Sequence, residues 1–340
     1  MKRYIGVDCG KGNTNTARLN PDFLENKEAV PYFINQFKTA YCKGYFEDDE
    51  PGRNTYIVEY EGEVYKVGKA ATKEAELVSS KRLFIHKFCT MLAIAKECSE
   101  DCIDEVYVAF GIPTKDYSEV MVRNEYREYI LPLGEQTVKY RDIDGSIKEK
   151  TFNIVSRRVY PESIGGNFVA GVNLAEPVAV IDLGYLNVNM TVYNGLELDP
   201  VASITTTKGA NYLISGLAQE LSSHFGTNVT KAKAADIIVN DRVLKFRNPD
   251  PAKEEESRKV IKKFINDYID SIIEDARSKD WALDVMQLVI VGGEALMIKD
   301  DLFEKFGENT FIPDKANMIN AIGFLKILCG RSDVLKIKLP

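Results

Sequence analysis

Asp8-Cys9-Gly10-Lys11-Gly12-Asn13 joins a carboxylate to a glycine-rich turn, and the chemistry this composition offers is anion binding. Glycine lets backbone N–H groups approach a phosphate closely. A carboxylate at the strand end can hold a magnesium-bound water, and Lys11 adds positive charge. A second turn, Asp182-Leu183-Gly184-Tyr185-Leu186-Asn187, uses the same Asp-x-Gly device. Magnesium takes few protein carboxylates, several waters and the phosphates of its ligand. One aspartate from each turn, Asp8 and Asp182, suits that preference, each acting through water. For either turn taken alone, a tight hairpin and nothing more is the competing reading.

Three further segments carry candidate chemistry. Gly292 and Gly293, followed by Glu294, close an apolar strand and open a helix, and their missing side chains leave room for a base or ribose on the backbone. Lys208-Gly209-Ala210 also sits between a strand and a helix. Simple turns are the competing reading of both. Glu162 follows Pro161 at an expected helix start. There a carboxylate either complements the helix dipole or orients an attacking water; spacing does not decide between them. No G-x-x-x-x-G-K-[ST], no G-x-G-x-x-G after the first strand and no G-x-S-x-G is present.

The elements that must position these residues follow from periodicity. Residues 4–8 predict a buried strand, with a second strand running through Leu19. A hairpin is expected over 55–67 about Glu61-Gly62, and another over 136–159 about Asp144-Gly145. Helices are expected over 84–97 and 118–131, with a strand at 105–110 between them. Residues 160–176 predict a helix with Pro161 in its first turn. Its small residues Gly165, Gly166, Ala170 and Gly171 predict very close packing. The pattern then restarts with strands at 178–182, through Tyr193 and at 200–207. Helices over 210–225 and 253–278, a strand at 287–291 and a helix over about 315–328 complete it. The strand that ends in Asp-x-Gly therefore occurs twice, which predicts two lobes built alike with a ligand cleft between them. Residues 1–170 form the first lobe, with about 315–340 packing back on it, and 171–314 the second.

The 340-residue chain has a formal net charge of −7. That argues against direct nucleic-acid binding and against docking on an anionic membrane. No apolar run approaches the ~20 residues needed to cross a bilayer, and no signal peptide is visible. The six cysteines are scattered without a C-x-x-C pair, and His86 and His224 do not complete a zinc site with them. Reduced thiols in a cytoplasmic protein are expected.

In order, IGVDCGKGNTNT, PESIGG, AVIDLG, TTKGAN, LVIVGGEA and KANMINAIGFLKIL resemble the actin-like ATPase superfamily across nearly the whole chain. Within it the chain is most similar to ParM-like bacterial actins that segregate plasmids. The resemblance implies an α/β, ribonuclease-H-like duplicated fold of two lobes around a nucleotide. Asp8, Gly10, Lys11, Gly12 and Asn13 would form the first phosphate loop, and Asp182 and Gly184 would belong to the second. Glu162 would position the hydrolytic water. Gly209 and Ala210, beside Lys208, would lie by the nucleoside, and Gly292, Gly293 and Glu294 would form the adenosine motif. One departure is that the second loop reads Gly184-Tyr185-Leu186-Asn187 where the family has hydroxyls, so Asn187 or Asn189 would stand in.

The function this implies is a Mg-dependent ATPase, with GTP left open. It would assemble with itself into a filament and move plasmid DNA through a DNA-binding adaptor on the plasmid centromere. A small-molecule kinase, a chaperone, a cell-shape or division actin and a scaffold without hydrolysis are the other classes. A sugar-stimulated turnover would favour the kinase.

Overall fold

The computed structural model describes residues 1–46, 52, 54–74, 81–307 and 310–340. The chain divides into two units, Met1–Phe168 with Met318–Pro340, and Val169–Asn317.

The first unit is built on strands β1 (Lys2–Cys9), β2 (Asn13–Leu19), β3 (Tyr32–Lys38), β4 (Ala40–Lys43), β5 (Thr55–Tyr60), β6 (Glu63–Gly68), β7 (Lys73–Glu74), β8 (Asp104–Ile112), β9 (Gly134–Arg141) and β10 (Ile147–Pro161). They form one mixed sheet in the order β3-β2-β1-β8-β10-β9-β5-β6-β4-β7. Its helices are α1 (Asp22–Glu25), α2 (Phe84–Glu97), α3 (Thr114–Tyr117) and α4 (Val120–Ile130). β1 pairs antiparallel with β2 and parallel with β8. Tyr4, Ile5, Gly6 and Val7 are all buried, as a strand covered on both faces requires. Ile5, Val7 and Cys9 face the core that α2 fills with Phe88, Met91 and Leu92. Both expected hairpins form, and Glu61, Gly62 and Gly145 take the left-handed backbone their turns need.

The second unit carries β11 (Pro177–Leu183), β12 (Val188–Asn194), β13 (Glu197–Thr206) and β14 (Gln287–Val291) in the order β13-β12-β11-β14. Its helices are α5 (Ala210–Phe225), α6 (Lys231–Val239), α7 (Pro251–Arg277), α8 (Gly293–Met297) and α9 (Lys299–Phe306). α7 presents Ile261, Ile265, Ile269 and Ile272 to the core at four- and three-residue steps. Asp250 caps it, accepting from the Lys253 N–H at 3.1 Å, with Pro251 in the first turn. α6 has a weaker sequence pattern and is started by Thr230, whose hydroxyl accepts from the Lys233 N–H at 3.2 Å.

The chain then returns to the first unit as α10 (Ile319–Gly330), which lies on the face of the sheet opposite α2. Gly6 makes this contact possible, because a Cβ there would sit 2.1 Å from the Ala321 carbonyl oxygen.

The expectation of a helix over 160–176 is corrected. β10 continues through Pro161, paired with Ile112 of β8, and only a 3₁₀ turn, Ile164–Phe168, follows. Ser163 takes a φ of 78° and Gly171 a φ of 92°, which no right-handed helix admits. The close packing expected of the small residues does occur: a Cβ on Gly165 would lie 2.3 Å from the Ile319 carbonyl oxygen. The same glycines that allow this contact weaken the helix.

Candidate functional site

In the first unit, the loop between β1 and β2 is closed by the Gly10 N–H donating to the Asn13 carbonyl at 2.9 Å. A Cβ on Gly10 would meet that oxygen at 2.9 Å. The Thr39 N–H, at the start of β4, donates to the Gly12 carbonyl at 3.0 Å and fixes the loop tip. Lys11 is buried at this tip. Asp8 stands at the strand end opposite Asn15 of β2.

Glu162 is buried one residue past β10. Its N–H donates to the Ile112 carbonyl at 2.9 Å, and its carbonyl accepts from the Thr114 hydroxyl at 3.0 Å. The next N–H, of Ser163, donates to Asn320 Oδ1 of α10 at 3.1 Å. Three segments thus hold the backbone at this residue. It is not at an α-helix start, so the helix-dipole reading falls away.

Lys81 joins Asp8 and Glu162. Its ammonium ion-pairs with Glu162 and lies 3.9 Å from Asp8 Oδ1. Burial pushes this ammonium down, but the charges of Glu162 and Asp8 outweigh that and hold it above its ordinary value. Lys81 is a fixed positive charge between the two acids. The sequence reading missed it, because a lone lysine ahead of α2 belongs to no spaced motif.

Cys9, next to Asp8, lies in a buried polar cluster. Its Sγ is 3.3 Å from the Thr14 hydroxyl and 3.4 Å from His86 Nδ1, and Thr14 is 2.9 Å from the Thr39 hydroxyl. Burial pushes the His86 imidazole below its ordinary value, with Cys9 opposing.

In the second unit, the loop between β11 and β12 repeats the first. The Gly184 N–H donates to the Asn187 carbonyl at 3.0 Å, and a Cβ on Gly184 would meet that oxygen at 2.9 Å. Asp182 stands opposite Asn189 as Asp8 stands opposite Asn15. The Ala210 N–H donates to the Gly184 carbonyl at 2.9 Å, and the Gly209 N–H to the Leu186 carbonyl at 3.1 Å. A Cβ on Gly209 would lie 2.5 Å from the Gly184 carbonyl oxygen. Gly292 approaches from the other side with φ 94°; a Cβ there would lie 2.2 Å from the Leu183 carbonyl and 2.7 Å from Asp182 Oδ1. So Asp182, Gly184, Asn187, Gly209, Ala210 and Gly292 are brought together.

The two asparagines proposed as stand-ins separate. Asn189 Oδ1 accepts from the Thr205 hydroxyl at 2.8 Å. Asn187 Oδ1 is buried with no hydrogen-bond partner among the described residues.

The remaining candidates divide by part. The Lys208 ammonium turns to α7, where it lies 2.6 Å from Asp275 and 3.0 Å from the Ser271 carbonyl. The Lys208 carbonyl accepts from the Tyr268 hydroxyl at 2.7 Å. The Glu294 side chain is buried, and burial pushes its carboxyl well above the ordinary range, with Tyr268 opposing. The Lys208 and Glu294 side chains are thus both engaged within the second unit.

Residues 6–165 match the family model described as the actin-like proteins N-terminal domain. No curated protein matches the sequence. Among solved structures, the Alp12 filament is 22% identical, with 96% of this chain and 98% of that chain covered and a TM-score of 0.69. Ta0583, an archaeal actin homologue in complex with ADP, is 18% identical over 94% and 97%, with a TM-score of 0.65. A 15-stranded ParM filament from Clostridium botulinum is 15% identical over 96% and 99%, with a TM-score of 0.68. No helix among the described residues is long and apolar enough to cross a membrane. The chain has the actin-like fold.

Proposed function

We propose that this protein is an ATP-dependent, filament-forming actin-like protein that hydrolyses ATP, and that its filament moves plasmid DNA through a DNA-binding adaptor. One observation carries the ATP reading: two Asp-x-Gly loops with the same glycine-to-asparagine closure, each tight enough to exclude a side chain. Backbone N–H groups in such turns suit phosphate oxygens. Two carboxylates, Asp8 and Asp182, suit the sparse protein ligation of magnesium, each through water. The orphaned Asn187 Oδ1 fits the same group.

Bound magnesium would neutralise phosphate charge. The chain's own residues do the rest. Gly10, Lys11, Gly12 and Asn13 bind phosphate from the first loop, and Gly184 and Asn187 from the second. Gly209, Ala210, Gly292 and Gly293 offer backbone to the nucleoside. Glu162, held by β8, α10 and Lys81, orients the attacking water. ATP is favoured over GTP by the likeness to a homologue solved with ADP. Self-assembly is supported by the likeness to the Alp12 and ParM filaments. The charge of −7 suits coupling to DNA through a basic adaptor rather than directly.

ATP favours the subunit contact and hydrolysis weakens it, since a ligand shifts a state only by its differential affinity. Glu162→Ala is expected to give filaments that form with Mg-ATP but do not disassemble, followed by light scattering. Rapid disassembly of that variant would remove Glu162 from the role.

A further inference from the structure

The cluster behind the first loop has a composition that packing alone does not require. Cys9 Sγ meets His86 Nδ1 and the Thr14 hydroxyl, and Cys89 belongs to the same buried cluster. His86 and Cys89 are three apart on α2, so both face β1. Both thiols are buried and free. His86 is fully buried, and its Nε2 has no partner among the described residues. An unsatisfied buried nitrogen is destabilising, and a leucine would fill the position without that cost. The equivalent position in the second loop is Leu183, packed in a wholly apolar core.

We propose that Cys9 and Cys89 are an oxidisable thiol pair, closed to a disulfide by a hydroperoxide, with His86 serving the attacking sulfur. The Cys9 sulfur attacks one peroxide oxygen and the O–O bond breaks. The Cys9 proton passes through His86 to the leaving oxygen, which departs as water or alcohol. Cys9 is then a sulfenic acid. The Cys89 sulfur attacks it, the S–S bond forms, the S–O bond breaks, and the hydroxyl leaves as water with the Cys89 proton. Two thiols and one hydroperoxide thus give one disulfide, one water and one further water or alcohol.

Closure draws the end of β1 toward α2 and strips Thr14 of its sulfur partner. Asp8 and Gly10 flank Cys9, so the first loop is distorted and nucleotide binding falls. This consequence rests on the nucleotide reading given above.

The test treats the full chain with hydrogen peroxide, blocks free thiols under denaturing conditions and maps the peptides. A peptide joining Cys9 to Cys89 is expected, reversible by dithiothreitol. His86→Gln should slow its formation roughly 100-fold, and Cys89→Ala should leave a trappable sulfenic acid on Cys9. Recovery of Cys9 and Cys89 as free thiols while the exposed Cys102 is oxidised would overturn the pair, whatever the variants do. A fluorescent ATP analogue separates the two readings. Reduced protein should bind it and the disulfide form should bind at least tenfold more weakly. Equal binding by both forms would overturn the coupling. Failure of the reduced protein to bind would instead remove the nucleotide reading and leave the thiol pair judged by its peptides.

Discussion

The two Asp-x-Gly loops have one backbone and two chemistries. Residues 8–13 and 182–187 share Asp, Gly and Asn at the same spacing, the same closing hydrogen bond and the same strand register. Even the asparagine two residues on is held alike: Asn15 Oδ1 accepts from Gln36 Nε2 at 2.8 Å, as Asn189 Oδ1 does from Thr205. The side chains between them diverge. The first loop has Cys9, Lys11, Gly12 and Thr14, polar or absent, backed by His86 and Lys81. The second has Leu183, Tyr185, Leu186 and Val188, backed by an apolar core and by Gly209 and Gly292 pressed against its carbonyls. The difference teaches that the first loop is specialised for charge and the second for shape.

The largest effect should come from removing the charge that sets the first loop apart. Lys81→Met removes the ammonium from the buried Glu162 carboxylate, and breaking such a pair costs about 3–5 kcal/mol. A loss of unfolding free energy below about 1 kcal/mol in urea melts would show that Lys81 does not neutralise Glu162.

Shape is tested next. Gly292→Ala combines a left-handed backbone with a 2.2 Å clash against Leu183 and should destabilise the second unit by about 3 kcal/mol. Gly10→Ala meets only the Asn13 oxygen at 2.9 Å and should cost about 1 kcal/mol. Equal losses in urea unfolding would erase the contrast between shape and charge.

Glu294 sharpens the second loop's apolar character. Its folded-state carboxyl lies well above its unfolded value because it is buried, so the folded chain binds the extra proton. Stability therefore falls as pH rises from the unfolded carboxylate range toward the folded value. Glu294→Gln should flatten that fall and gain at least about 1 kcal/mol at pH 8 relative to pH 4. An unchanged slope would place a charge on Glu294 in the folded protein.

The smallest effect should be symmetric. Asn15→Ala and Asn189→Ala remove the matching side-chain hydrogen bonds to the neighbouring strands, and each should cost about 1 kcal/mol. A loss at one position alone, in matched melts, would break the likeness of the two loops.

Much of this was legible before any coordinates. Strong periodicity marked α2 and β14 to the residue, and the repeated Asp-x-Gly marked both loops. Residues 160–176 misled because the small residues that admit α10 were read as a helix face; tertiary contact with Ile319 and the long pairing of β10 decided otherwise. Lys81 and His86 escaped because their roles come from long-range packing, Lys81 on Glu162 and His86 on Cys9, and no local spacing encodes either. Asn187 and Asn189 were equal candidates in sequence, and only the Thr205 hydroxyl on the neighbouring strand told them apart.

The most direct test of the central claim follows light scattering and phosphate release together after Mg-ATP is added to purified protein. A rise in scattering that decays as phosphate appears is the expected result. Phosphate release with flat scattering, or no response to ATP at all, would contradict a filament-forming ATPase.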